Sequence, residues 1–322
     1  MKAIIGRVYG PPESLEFGDI DQPEIGADEI LVRVHASSVN PLDWHEVTGQ
    51  PYIVRTQRGL RRPKTAVPGN DVAGTVVAVG SDAVGIAVGD EVFGTAGGAY
   101  AEYVRMRAAR AVTKPAEVSF EQAAAVPVAG LTALQGLRDV GRVAAGQRVL
   151  VTGAGGGVGT FAIQLARHFG ASVTGVCGTG NVDLVRSLGA EDVVDYTTTD
   201  WTATGQRYDL IVDTACAQPI AARRLALTPR GTLVVIGGPK TNRWVGPLFQ
   251  MLRTVSRTPF VGQRLVGMLA TIKADDLALL IGLVAAGTVT PAIGRTCPLP
   301  EVPRALARVS KGHAHGKTVI TV

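Results

Sequence analysis

Cysteine is scarce in this chain. Its 3 residues, Cys177, Cys216 and Cys297, are odd in number and far apart. That argues against a disulfide framework and against a structural zinc cluster, which need paired or closely spaced thiols. No run of about 18 apolar residues occurs, so a membrane span is not expected. The first residues, "MKAIIGRVYGPPESLEF", turn polar after a few positions and lack the apolar core of a secretory signal. These absences lead to the expectation of a soluble, cytoplasmic protein without a membrane partner. A strong charge imbalance is also missing: 32 Lys and Arg against 27 Asp and Glu leave +5. A mild positive balance suits an anionic ligand such as a phosphorylated cofactor. The densest basic stretch, "RTQRGLRRPK" from Arg55 to Lys64, lies in a loop bearing Gly and Pro and has no interleaved aromatics. It reads as a solvated loop or the rim of a charged pocket, and nucleic acid is not the expected partner.

What is present is apolar and rich in glycine. With 322 residues, 46% hydrophobic and 18% charged, the chain is long enough for two domains and can bury a large core. Its 40 glycines are dispersed among apolar runs, as turns in an α/β protein are. Residues 1–122 read as short strands, among them "EILVRVHASSVN", "DVAGTVVAVG", "GDEVFG" and "AYAEYVRM", and predict a barrel-like β domain. A helical stretch, "EQAAAVPVAGLTALQGLRDV", then opens an alternation of strand and helix. "RVLVTG" is followed by a helix over 158–169, "SVTGVC" by one over 182–188, then come "DVVDY", "DLIVDTA", a helix near 220–227 and "GTLVVIGG". Short continuous apolar runs between helices are the pattern of buried parallel strands, so a doubly wound Rossmann sheet is predicted. Residues 240–270 read as a partly helical excursion and one more strand. The tail is read as a helix, a turn and a strand returning to the N-terminal domain.

The stretch "VTGAGGGVGTFAIQLA" joins the first parallel strand to its helix. Glycine there permits a sharp turn with positive φ and lets the backbone approach a pyrophosphate with no Cβ in the way. The N–H groups at the helix start and the helix dipole then face the phosphates. With further alternating units behind it, the turn predicts dinucleotide binding. The second parallel strand ends in Cys177-Gly178, with no Asp or Glu to hold a ribose 2′-hydroxyl. That favours NADP(H), with NAD(H) as the alternative, because no Arg or Lys stands in the loop and the nearest is Arg186. Gly178, Thr179 and Asn181 are the neutral donors available there.

Several stretches together, "HASSVNPLDW", "PGNDVAGTVVAVG", "GDEVFG", "GGAYAEYV", "VPVAGLTALQGL", "VTGAGGGVG", "LGAEDVVDY" and "GKTVI", span nearly the whole chain. In them the chain resembles the zinc-less quinone oxidoreductase branch of the medium-chain dehydrogenase/reductase superfamily. The resemblance implies a GroES-like β-barrel domain, residues 1–122 and 293–322, beside a Rossmann domain, residues 123–292. It implies an NAD(P)H-dependent reductase of quinones or related electron-poor enones, acting as a homodimer. By motif position Gly155, Gly156, Gly157 and Val158 would line the pyrophosphate. Gly178 and Thr179 would lie near the adenosine ribose, Tyr196 against the adenosine, Thr132 near the nicotinamide, Gly237 and Gly238 beneath the cofactor, and Lys317 on the cofactor side. The chain departs from this pattern at Gly178 and Gly180, where relatives carry Ser and a basic residue, and at His315, where they carry Arg.

Zinc relatives in the superfamily place Cys early in the β domain and a Gly-His-Glu after it; here those stretches read "VNPLDW" and "GNDVAG". A ligand set built from His35, His45 and Asp71 has no cysteine to support it, so no zinc is expected. Without a Lewis acid the acceptor must take hydride readily, which favours quinones and conjugated carbonyls. Asn40 is the candidate donor to the developing oxyanion, its alternative role being a turn residue before Pro41. Tyr52, with Arg55 nearby, is a candidate acid or a packed surface tyrosine. Asp43 reads as a helix cap and Asp71 as a turn anchor. A short-chain dehydrogenase is excluded, since no Tyr has Lys four residues on and the glycine turn lies past residue 150. A zinc-type alcohol dehydrogenase and a non-catalytic NADPH-binding sensor or scaffold remain as alternatives.

Overall fold

The structure is a computed structural model that describes residues 1–237, 262–312 and 314–322. It divides into two compact units. The first is Met1–Leu131 with Ile272–Gly287 and Pro291–Val322, and the second is Thr132–Thr271 with Thr288–Thr290.

In the first unit the β-branched runs bounded by Gly, Pro and Asp form strands, as their composition demands. Among the described residues they make a seven-stranded sheet. Its order is Ile293–Pro298, Lys317–Thr321, Glu29–Val39, Asp71–Val79, Glu91–Thr95 and Ala111–Thr113, with Tyr103–Arg107 also on Glu29–Val39. The long strand Glu29–Val39 is shared along its length. Its N-terminal half pairs with Tyr103–Arg107 and its C-terminal half with Lys317–Thr321, both antiparallel. Ile30, Val32, Val34, Val72, Val76, Val92 and Met106 form the apolar interior of this sheet.

The boundaries expected at 122/123 and 292/293 differ from the observed division. The helices Phe120–Ala125 and Ala274–Ala285 group with the first unit. The physical reason is packing: Phe120–Ala125 covers the strands Glu29–Val39 and Asp71–Val79, Ala274–Ala285 packs on Ala111–Thr113, and Leu280 lies against Gly130.

The second unit holds a six-stranded sheet with every neighbouring pair parallel. Its order among the described residues is Asp192–Asp195, Ser172–Cys177, Arg148–Thr152, Tyr208–Asp213, Leu227–Val235 and Arg264–Gly267. Chain order reverses between Arg148–Thr152 and Tyr208–Asp213. The helix expected over 158–169 is found at Gly157–His168, and that expected over 182–188 at Val182–Ser187. The strand expected near residue 265 is Arg264–Gly267. Most of the expected excursion after Lys240, and Gly238 with it, lies outside the described residues. Among the described residues no helix is long and apolar enough to cross a membrane.

One helix of the first unit carries charge into the interior. Pro41–Thr48 begins with Pro at its first position, and Asn40 N–H donates to Asp43 Oδ2 at 2.7 Å. Such a reciprocal contact fixes where a helix starts. Gly49, at φ +58°, ends it in the left-handed region. The helix thereby buries Asp43, which also accepts from Tyr100 Oη at 2.7 Å and from Asn70 Nδ2 at 2.7 Å. One turn on, Glu46 Oε2 accepts from the same Asn70 amide at 3.1 Å, and Glu46 Oε1 pairs with Arg58. Burial pushes the Asp43 carboxyl up to about 6, against the bonds from Asn70 and Tyr100. Burial and then the charge of Asp43 push Glu46 up to about 7.

Both acids bind protons more tightly folded than unfolded, so their contribution to stability is complete below about pH 4 and is lost as pH rises through about 6 and about 7. In urea titrations from pH 5 to pH 8, Glu46→Gln is expected to flatten this decline, so that its stability relative to the parent rises with pH. A relative stability independent of pH would contradict the assignment.

Candidate active site

In the second unit the sequence RVLVT gives the strand Arg148–Thr152, and Gly153 to Gly156 turn the chain into the helix Gly157–His168. Gly153 has φ +63°, and a Cβ there would stand 2.3 Å from Thr214 Oγ1. A Cβ on Gly155 would meet Asn181 Cγ at 2.4 Å, and one on Gly159 would meet the Gly153 carbonyl at 2.2 Å. Gly159 therefore admits no side chain against the backbone, the positive φ of Gly153 disfavours one, and at Gly155 a side chain would have to displace that of Asn181. No side chain caps the helix, and its first backbone bond runs from Thr160 N to Gly156 O at 2.9 Å. The N–H groups of Gly157, Val158 and Gly159 accordingly have no acceptor within the helix. A bare turn leading into an uncapped helix start, at the carboxyl end of a parallel strand beside the reversal of strand order, fits the pyrophosphate of a dinucleotide.

Gly178, Tyr196 and Gly237 follow the carboxyl ends of parallel strands, whereas Thr132 lies in the helix Pro127–Gln135. Gly178 follows the strand Ser172–Cys177, and the Tyr196 hydroxyl lies over it, 3.1 Å from where a Cβ would be. Tyr196 is half exposed, and its N–H donates to Cys177 O at 3.0 Å. Gly237 has φ +87°, and Thr132 is buried. The strand end at Cys177 carries no acid of its own, yet an acid arrives from the next strand. Asp195 pairs in register with Cys177 and accepts from Thr179 Oγ1 at 2.6 Å. Bonds from Thr179 and Thr197 hold the Asp195 carboxyl below its usual range, so it stays ionised at neutral pH. The sequence reading missed this contact, because it joins residues of two strands whose register the chain does not print.

The first unit gathers the remaining candidates around one buried carboxylate. Asp71, at the start of the strand Asp71–Val79, is fully buried. Its Oδ2 accepts from Ser38 Oγ at 2.5 Å and from Asn40 Nδ2 at 2.7 Å, and its Oδ1 accepts from Val128 N at 3.0 Å. The Lys317 ammonium stands 3.3 Å from the same Oδ2 and donates to Asn40 Oδ1 at 2.7 Å. Lys317, expected on the cofactor side, is therefore only 2% exposed and serves as the counter-ion of Asp71. A buried charge needs such a partner. Asn40 is likewise held at both ends of its amide, with a second N–H on Nδ2 beyond the one given to Asp71. Asp71, expected to anchor a turn, is instead the hub of this cluster. Asp43 caps its helix as expected.

Tyr52 opens a short helix, with the Arg55 guanidinium 4.7 Å from its ring and 4.5 Å from the Tyr9 ring. A cavity of about 190 Å³ in the first unit is lined by Glu46, Arg58, Lys64, Val8, Leu15 and Val67, among others. The basic stretch Arg55–Lys64 contributes Arg58 and Lys64 to that lining. Sequence reasoning passed over Glu46, Asn70 and Tyr100; a buried-acid reading needs the fold that buries it. Among the described residues no three His, Cys, Asp or Glu side chains converge as a metal would need. Burial holds the thiols of Cys177 and Cys216 up at about 11 and about 12, where they are neither nucleophiles nor ready metal ligands.

Comparison with known proteins agrees with this geometry. The family model for the alcohol dehydrogenase GroES-like domain matches residues 26–116, and that for zinc-binding dehydrogenase matches residues 188–320. A chloroplast envelope quinone oxidoreductase homolog of Arabidopsis thaliana is 33% identical, over 99% of this chain and 98% of its own length. An NADPH-dependent alkenal/one oxidoreductase of the same plant, a chloroplastic protein, is 32% identical over 99% of this chain and 79% of its own. The solved quinone oxidoreductase of Coxiella burnetii superposes with a TM-score of 0.89 at 31% identity, covering 100% of this chain and 99% of that one. By its glycine turn, its two folds and these end-to-end relatives, the chain belongs to the quinone oxidoreductase branch of the medium-chain dehydrogenase/reductase superfamily.

Proposed function

We propose that the protein is an oxidoreductase that uses a reduced nicotinamide dinucleotide, NADPH in preference to NADH, to reduce quinones or conjugated carbonyls. The single observation that carries this reading is the glycine-rich turn from Gly153 to Gly159, whose uncapped helix start fits a pyrophosphate. Relatives named as quinone oxidoreductase and NADPH-dependent alkenal/one oxidoreductase, each matching 99% of this chain, support the acceptor class and the donor. The second unit would hold the dinucleotide, with Gly155 to Val158 toward its phosphates, Thr179 and Tyr196 toward its adenosine and Gly237 on its path.

The bound nicotinamide supplies a hydride. The chain supplies position and charge. The first unit provides Asn40, fixed by Asp71 and Lys317, whose second amide N–H is a preorganised neutral donor for charge developing on the acceptor oxygen. A quinone or enone delocalises that charge, so one such donor suffices without a metal.

Consumption of NADPH with 1,4-naphthoquinone and 9,10-phenanthrenequinone, measured with and without chelator, tests the whole reading. Turnover unaffected by chelator is the expected outcome; failure to bind either pyridine nucleotide in a fluorescence titration would end it. Replacing Asn40 by Ala is expected to lower kcat about 10²-fold, the usual loss for one oxyanion donor, while NADPH affinity stays unchanged. At the adenosine end, the ionised Asp195 repels a 2′-phosphate. Asp195→Asn should therefore tighten NADPH binding and leave NADH binding as it was, with the gain shrinking in high salt.

A further inference from the structure

The reversal of strand order in the second unit lies between Arg148–Thr152 and Tyr208–Asp213, whose last residues, Thr152 and Asp213, face each other in register. In open parallel sheets the ligand crevice lies outside the strand ends at this point. Directly beneath it is a buried ion pair. Asp213 and Arg223 are each 1% exposed, and Arg223 Nη1 donates to Asp213 Oδ2 at 2.7 Å.

The other bonds of Asp213 lead into the surrounding loops. Oδ1 accepts from Thr152 Oγ1 at 2.5 Å and from Cys216 N at 2.8 Å. Thr152 is the residue before Gly153. Its hydroxyl accepts from Ala215 N at 3.3 Å and its carbonyl from Thr214 Oγ1 at 2.7 Å. Thr214 Oγ1 is in turn the atom against which Gly153 is packed. The Asp213 carbonyl accepts from Ile236 N at 2.9 Å, beside Gly237. Cys216 adopts φ +51°, a left-handed conformation that a residue with a side chain keeps only when its surroundings hold it there. One carboxylate thus ties together the glycine turn, the loop at 214–216 and the approach to Gly237.

We infer that the buried Asp213–Arg223 pair is a positioning device for dinucleotide binding, fixing the glycine turn through Thr152 and cancelling a negative charge that would otherwise lie under the cofactor's phosphates. The inference rests on the reading of that turn as a dinucleotide site. A buried ion pair is seldom retained for stability, since an apolar pair of similar volume does as well; what it fixes is direction and charge. Arg223 keeps its Nε without a hydrogen-bond partner among the described residues, so bonding of the guanidinium itself is incomplete, whereas Asp213 is used on both oxygens and its carbonyl.

The test is NADPH affinity set beside stability. Thr152→Val removes the link between turn and carboxylate and leaves the ion pair in place. It is expected to weaken NADPH about tenfold in a tryptophan-fluorescence titration, a fold-change of about 1.4 kcal/mol. The KM for NADPH should rise alike while kcat and the KM for 1,4-naphthoquinone hold. Arg223→Met should weaken NADPH further, most at low salt, and Arg223→Lys should restore most of the affinity. If Thr152→Val and Arg223→Met bind NADPH as the parent does and lose only melting temperature, the pair is structural and the inference falls. Should Arg223→Met not fold, the Thr152→Val titration decides alone. A parent protein that binds neither NADPH nor NADH would overturn the dinucleotide reading and this inference together, an outcome distinct from a parent that binds and variants that bind equally.

Discussion

The nucleotide-binding half of this protein depends on one close approach of backbone to backbone. A single added carbon on Gly159 would stand 2.2 Å from the carbonyl of Gly153. Turn and helix can pack this closely only because Gly159 bears no side chain at the contact. From this approach follow the uncapped start of the helix Gly157–His168 and the direction of its first N–H groups. Everything beyond the turn in the second unit supports it: parallel strands that bring Gly178, Asp195 and Gly237 to the same ends, and the carboxylate of Asp213 below.

The first unit solves a different problem. It encloses three acids: Asp43 and Glu46 on the helix Pro41–Thr48, and Asp71 at the start of a strand of its sheet. Each is handled in its own way. Asp71 is paired with Lys317 and bonded by Ser38, Asn40 and a backbone N–H, so its charge is matched at close range. Asp43 is bonded by neutral donors alone and moves toward protonation. Glu46 leans on the half-exposed Arg58 at the rim of a cavity. The outcome is a neutral donor, Asn40, locked between an anion and a cation, and therefore fixed in space without being charged itself.

Much of the fold was legible in the chain. The change from alternating strands to continuous apolar runs near residue 148 gave away the parallel sheet, and the glycine turn gave away its ligand class, because both signals are local. The ion pair of Lys317 with Asp71 was not legible, because the two lie 246 residues apart in sequence. The motif offered Lys317 for the cofactor side; the structure adds its bonds to Asp71 and Asn40. Asp195 escaped notice for a similar reason: the end of one strand looked free of acid, and only the register with its neighbour brings a carboxylate to Thr179. Asp213 and Arg223 read as an ordinary strand end and an ordinary helix. The unit boundaries shifted because Phe120–Ala125 and Ala274–Ala285 follow the sheet they cover and not the rhythm of the sequence around them.

The strand Lys317–Thr321 lies between Ile293–Pro298 and the long strand Glu29–Val39, so the first unit is closed by its last-made piece. During synthesis every described strand of the parallel sheet has left the ribosome once Gly267 is free, while Val39 must wait some 280 residues for Thr318, its partner. Until then that edge of the long strand lacks its partner and Asp71 lacks its counter-ion Lys317. The nascent chain thus has a stretch of translation in which its later-born half is ready to fold and its first-born half is not.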